Sequence, residues 1–157
     1  MKSIQQWLEE YGESHQNPKN KLIHWVCVPM IYFTIIGLLY SIPIQFGEIA
    51  GLKVNIGSII AVLIFIYYCT LSLKIAFGML IFTLISLFLS ELLFQVTGGY
   101  IGLAITCIVL FIISWIFQFW GHEIEGKKPS FIKDLQYLMI GPAWVISFFY
   151  KKMGIQL

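Results

Sequence analysis

Four stretches of this chain run for the length of a membrane crossing with almost no charge, and nothing else in the sequence limits the fold as strongly. Residues 25–44, 55–73 and 100–120 carry no charged side chain, and residues 75–94 carry Glu91 alone, close to the end. A helix needs about 20 predominantly apolar residues to cross a hydrocarbon core of roughly 30 Å. The links between these stretches are short: 45–54, the single Lys74 region, and 95–99 with its Gly98-Gly99 turn signal. Short links make neighbouring helices antiparallel. The expected fold is an all-α integral membrane protein, a single domain over 1–157, with four transmembrane helices arranged as two antiparallel hairpins.

Composition supports a lipid-facing exterior. Of the 157 residues 59% are apolar and 11% are charged, and the mean hydropathy is +0.83. Soluble domains carry roughly 25% charged residues, because they must cover a surface that faces water. The net charge of +2 is too weak for a nucleic-acid partner, and none is expected. Every basic residue is Lys, so the Arg forks that clamp phosphates and carboxylates are missing. Cys27, Cys69 and Cys107 lie far apart in apolar runs and read as small buried hydrophobes. Residues 1–24 are polar, with Glu9, Glu10 and Glu13, and do not resemble a cleaved signal peptide.

Residues 129–150 have a mixed character. Phe131, Leu135, Leu138 and Met139 fall at helical spacing among Lys133, Asp134 and Gln136, and Gly141-Pro142 then interrupts the pattern. An interfacial or re-entrant helix is expected, with a fifth, broken span as the alternative. Lysine placement sets the orientation. With four spans, Lys53 stands alone on one side, and Lys2, Lys19, Lys21, Lys74, Lys127, Lys128, Lys133, Lys151 and Lys152 share the other. Both termini are therefore expected to be cytoplasmic, in a prokaryotic plasma membrane or a eukaryotic ER. Glu91 reads as a solvated or paired interfacial carboxylate. Trp7, Trp25, Trp120 and Trp144 read as interfacial anchors.

The chemistry gathers at the cytoplasmic end. His15 and His24 precede or open the first span, and His122 closes the fourth. Asn17-Pro18 is a helix-start signal, because Asn caps free N–H groups and Pro suits the first turn. A helix that begins there places Asn20 and His24 on one face. Gln118, His122 and Glu125 follow an i, i+4, i+7 spacing on another. Polar stripes that continue an apolar span point into the bundle, since lipid would leave them unpaired. Imidazole with carboxylate suits iron, zinc or copper, and open positions on iron suit oxygen chemistry. Gly121 permits a close helix approach beside His122.

Two segments carry a resemblance to a known family. Ser14-His15-Gln16-Asn17-Pro18-Lys19-Asn20-Lys21-Leu22-Ile23-His24, followed by Val28-Pro29, is the first. The second is Trp115-Ile116-Phe117-Gln118-Phe119-Trp120-Gly121-His122, continuing through Glu125, Lys127-Lys128-Pro129, Asp134 and Gly141-Pro142. Together they resemble the signatures of the fungal family named for metabolism of phytosphingosine to odd-numbered fatty acids. That resemblance implies a membrane-bound iron(II) dioxygenase that shortens 2-hydroxy fatty acids by one carbon. It implies His15, His24 and His122 as ligands of Fe(2+); Glu125 matches another motif position, and its carboxylate is an expected further ligand on the mechanism rather than on the resemblance. Asn20, Gln118 and Asp134 match other motif positions and are expected to support the imidazoles. Lys127 and Lys128 are expected to serve cytoplasmic retention and contact with anionic headgroups, with attraction of the substrate carboxylate as the alternative. Two positions depart from the fungal pattern: Gln16 stands where an adjacent second His occurs, and the interval from His122 to Pro129 is one residue shorter.

The implied reaction takes a 2-hydroxy acid and O2 to the shorter acid, CO2 and water, so the expected partners are a 2-hydroxy fatty acid, O2 and membrane lipid. The substrate gives up four electrons and O2 accepts four, so no external reductant is required. The chain has no GxGxxG and no cysteine set for an iron–sulfur centre, and no nicotinamide, flavin or haem is expected. The alternative is a noncatalytic membrane protein whose polar end binds lipid headgroups or recruits a cytoplasmic partner. A transporter is disfavoured, because the span interiors offer little charge to line an ion path.

Overall fold

The computed structural model describes residues 2–49, 52–126, 131–155 and 157, with residues 52 and 131–136 as backbone only. Its elements in order are α1 (Ile4–Glu13), α2 (Pro18–Tyr40), β1 (Gln45–Ile49), β2 (Leu52–Asn55), α3 (Ile56–Leu71), α4 (Leu73–Val96), α5 (Tyr100–Glu125) and α6 (Phe131–Lys152). Among the described residues the protein is an all-helical bundle with one small hairpin, and α2 packs most extensively against α5.

Polarity is arranged as a lipid-facing bundle requires. Ile101, Ile105, Val109, Ile112 and Ile116 form an exposed apolar stripe along α5, and Val62, Phe77 and Phe88 are exposed on α3 and α4. Thr34, Thr83, Ser86, Ser90 and Ser114 are buried instead. The hydroxyls of Thr34, Thr83, Ser86 and Ser90 find partners inside: Tyr32 and Thr83 share a 2.6 Å bond, and Ser90 Oγ donates to the Ser86 carbonyl at 2.7 Å. Exposed apolar area on this scale marks a surface built to meet something other than water.

Among the described residues three helices, α2, α4 and α5, are long and apolar enough to cross a membrane. The second expected span, 55–73, forms a helix of 16 residues, and this corrects the expectation of four full-length crossings. Both ends have a physical cause. Asn55 belongs to β2 and caps α3 from outside, its Oδ1 accepting from Ser58 N at 3.0 Å. Ser72 is extended at φ −168°, which ends α3, and its side chain then caps α4 by accepting from Ile75 N.

The 45–54 link is an antiparallel hairpin with Glu48 opposite Lys53. Lys53 donates to both Glu91 oxygens at 3.0 Å, and Tyr40 and Gln95 also donate to this carboxylate. Glu91 is thus paired, as expected, and it ties the hairpin to the end of α4.

Two N- and C-terminal features differ from expectation. The polar head contains α1, opened by a Ser3–Gln6 capping box and packed through Ile4, Trp7, Leu8 and Tyr11. Helix α6 continues through Gly141-Pro142, where an interruption was expected. Proline removes one helical hydrogen bond, but Ile140, Ala143, Trp144 and Val145 are buried and hold both halves in the core. The Tyr68 hydroxyl also donates to the Met139 carbonyl in that turn. Helix α6 runs from the histidine end, where Tyr137 and Leu138 lie, to the α3–α4 junction, where Tyr150 donates to the Lys74 carbonyl at 2.8 Å.

Candidate metal centre

His15 follows α1 in the tight link to α2. Its backbone N donates to the Gly12 carbonyl at 3.0 Å, and its ring stacks on Tyr11 with centroids 4.3 Å apart and planes at 11°. Asn17 then caps α2, its side chain accepting from Lys19 N at 2.9 Å, with Pro18 in the first turn. The Asn17-Pro18 signal therefore operates as its chemistry requires, and it sets the phase that turns Asn20 and His24 inward.

His122 arrives from the last turn of α5. Gly121 makes the approach possible: a Cβ there would overlap Asn20 Oδ1 and come within 3.5 Å of His24 Cε1. The close helix contact expected from this glycine is present.

The three imidazoles converge. Ring centroids lie 4.2 Å apart for His15 and His24, 5.0 Å for His24 and His122, and 5.5 Å for His15 and His122. One nitrogen from each lies within 4.8 Å of the others, near the spacing that a shared ion needs at about 2 Å from each. Exposures are 2% for His15, 1% for His24 and 9% for His122. Residues from opposite ends of the chain, about 100 positions apart, thus form one buried cluster.

The hydrogen bonds put two of the rings in the form that binds metal. His15 Nδ1 lies 2.6 Å from the Tyr11 carbonyl, and His24 Nδ1 lies 3.0 Å from the Asn20 carbonyl. A carbonyl only accepts, so Nδ1 carries the proton in both rings and Nε2 holds a free lone pair. Burial pushes the His15 imidazole down to about 4, against the opposing pull of its Tyr11 bond and of Glu125. His15 Nε2 is buried with no hydrogen-bond partner. An unsatisfied buried acceptor beside two further imidazoles fits a metal ion, which would use that lone pair.

The expected supporting residues take different roles. Asn20 orients His24 through its backbone carbonyl, while its Nδ2 donates to the Ser14 carbonyl at 3.3 Å and to Glu125 at 3.0 Å. Gln118 lines the cavity beside the histidines. Glu125 lies outside the histidine group. Its Oε1 accepts from Gln16 N at 2.8 Å, and its Oε2 accepts from Asn17 N at 2.9 Å and from Asn20. It fastens the end of α5 to the α1–α2 link. Lys127 and Lys128, and the side chain of Asp134, lie outside the described residues.

Tyr11 and Trp144 were not singled out for the site. Trp144, expected as an interfacial anchor, is buried against Tyr11 and His15, with centroids 5.2 and 5.3 Å away. Trp25 and Trp120 are exposed. The cavity beside the cluster holds about 40 Å³ and has an apolar side made by Val28, Ile31, Trp115 and Leu138.

The family model for "2-hydroxy-palmitic acid dioxygenase Mpo1-like" proteins matches residues 1–153. The chain belongs to the Mpo1-like family. It is 32% identical over 151 residues to the 2-hydroxy-palmitic acid dioxygenase MPO1 of Saccharomyces cerevisiae, covering 92% of this chain and 78% of the yeast protein. No solved structure matches. Membership in the Mpo1-like family and the three-histidine cluster together support a metal-dependent oxidoreductase.

Proposed function

We propose that this protein is an iron(II)-dependent dioxygenase of the membrane that converts a 2-hydroxy fatty acid and O2 into the acid one carbon shorter, CO2 and water. The observation that carries this reading is the buried convergence of His15, His24 and His122 in a chain matched along its length by the Mpo1-like family. Iron(II), when bound, supplies the one-electron chemistry that lets O2 react with a closed-shell acid. The chain's residues do the rest. The Tyr11 and Asn20 carbonyls hold two Nδ1 protons, so that Nε2 of both rings serves as donor atom. Three imidazoles leave coordination room for small ligands.

The cavity of about 40 Å³ takes an ion and a small polar headgroup but no long chain. The acyl tail therefore runs along the apolar side, past Val28 and Ile31, toward lipid. Each buried methylene contributes about 0.8 kcal/mol, so a long tail dominates binding. That explains a small catalyst embedded in lipid.

The finer topology belongs to the same proposal. Helix α3 is the fourth and shortest crossing, at about 24 Å for 16 residues at 1.5 Å each. Helix α6 lies across the cytoplasmic end, and both termini are cytoplasmic.

Protein purified without oxygen should hold about one iron per chain, as a single three-imidazole site requires. It should consume O2 on addition of 2-hydroxypalmitate and release pentadecanoate and CO2. H15A, H24A and H122A should each insert normally and lose turnover. Full activity in all three would remove the ligand assignment. Metal-free protein with no oxygen uptake would favour the noncatalytic, headgroup-binding alternative.

A further inference from the structure

The cavity wall contains a donor with no acceptor. Trp115 lines the same space as the three histidines, and its indole Nε1 is buried with no hydrogen-bond partner among the described residues. Phe111 and Phe119 pack on the ring at 6.1 and 5.5 Å and offer no acceptor. Three neighbouring donors are committed: Nδ1 of His15 and of His24 to carbonyls, and Ser14 Oγ to the Tyr11 carbonyl. An indole N–H can only donate, so whatever satisfies it must present an acceptor. Buried polar groups are rarely left unpaired, and an unpaired one beside a cavity points to a ligand.

Helix register gives the depth of this donor. Gly121 lies against His24 and Gly37 against Cys107, so α2 and α5 run antiparallel with Trp115 near the level of Ile31. Six residues separate Trp115 from Gly121, about 9 Å along the helix axis. The indole therefore borders the cavity on its inner, apolar side, beyond the imidazoles. A headgroup held at the histidines with its tail running inward presents its second carbon on that side. Among the described residues no Lys lines the cavity.

We infer that Trp115 is a specificity-determining residue whose indole N–H donates to the 2-oxygen of a 2-hydroxy fatty acid. This rests on the substrate class proposed above. An unsubstituted acid leaves the N–H buried and unpaired, and such a site rejects the analogue that lacks the hydroxyl. Discrimination is thereby built into the apolar wall, separately from any contribution of the metal.

The test compares wild type with W115F, which keeps an aromatic ring and loses the donor. Both are loaded with zinc in detergent, so that binding is read without turnover, and affinities for 2-hydroxypalmitate and palmitate are measured. W115F should bind 2-hydroxypalmitate about 10-fold more weakly, the order expected for one lost hydrogen bond. Palmitate should bind equally well or more tightly, and zinc content should not change. An unchanged affinity ratio in W115F, with wild type still preferring the hydroxy acid, would overturn the Trp115 assignment alone. Wild type that binds neither acid, or binds both alike, would overturn the proposed function and this inference together. Should W115F fail to fold, wild type carries the test through its five tryptophan indole N–H resonances. One of them should move downfield with 2-hydroxypalmitate and not with palmitate, and five unmoved signals would reject the assignment.

Discussion

At the scale of single residues, Gly121 is the position where one added methyl group would press directly on the support of the histidine cluster. Its Cα lies against Asn20, whose amide links the Ser14 carbonyl to Glu125 and whose backbone orients His24. G121A must push that amide away. It should cost about 1–3 kcal/mol of stability, as overpacking a tight contact does, and at least about 10-fold in metal affinity, as disturbed ligand support does. Thermal unfolding and metal titration measure the two, and a variant with native affinity would show that the contact is slack. His15 gives a pH signature. Its imidazole titrates near 6.5 when unfolded and at about 4 in the fold, so between these values the unfolded chain binds the extra proton. Metal-free protein should lose stability as pH falls from about 6.5 toward 4, by up to about 1.4 kcal/mol per unit, with no His15 contribution above that window. Detergent-unfolding midpoints against pH check the slope, and H15A should flatten it.

At the scale of elements, the histidine positions were legible because a helical phase predicts faces. Asn17-Pro18 starts α2, and the spacing then turns Asn20 and His24 the same way. Helix α1 was not read, although its signal stands in Ser3-x-x-Gln6 and in apolar residues at 4, 7, 8 and 11, because the surrounding charge obscured it. The unbroken α6 was not, because a Gly-Pro pair reads as a break and only burial of both flanks overrides it. Nor was the role of Glu125: a carboxylate one turn from a ligand reads equally as ligand or as tether. The structure gives its oxygens to Gln16, Asn17 and Asn20. E125Q keeps one acceptor oxygen and loses the charge. It should weaken metal affinity by about 10-fold, the range for ligand-supporting partners, while retaining metal at saturating concentration. A ligand role predicts altered ligand-field spectra in the cobalt-substituted protein, and a tether leaves them unchanged.

At the scale of the whole molecule, the path of the chain requires α3 to connect opposite ends of the bundle. It starts beside Tyr40, since Gly57 lies against the Tyr40 backbone, and it ends at Ser72, next to the Lys74 carbonyl that Tyr150 reaches from α6. Helix α4 then returns to Glu91, which Tyr40 and Lys53 both meet. As the fourth crossing proposed above, a helix of about 24 Å would be shorter than the roughly 30 Å hydrocarbon layer, and lipid around it would thin or its polar caps would sink. Asn55 and Ser72 suit such sinking, because each caps a helix and keeps its side chain hydrogen-bonded. E48C in the hairpin and K74C at the α3–α4 junction should therefore react with an impermeant thiol reagent from opposite sides of sealed vesicles. Buried Cys27 and Cys107 should contribute little background, and half-buried Cys69 is replaced by Ser in both variants. Labelling of both from one side would mean that α3 folds back without crossing. The histidines of α2 and α5 would then have to meet in a bundle whose lysine-poor and lysine-rich faces share one side of the membrane.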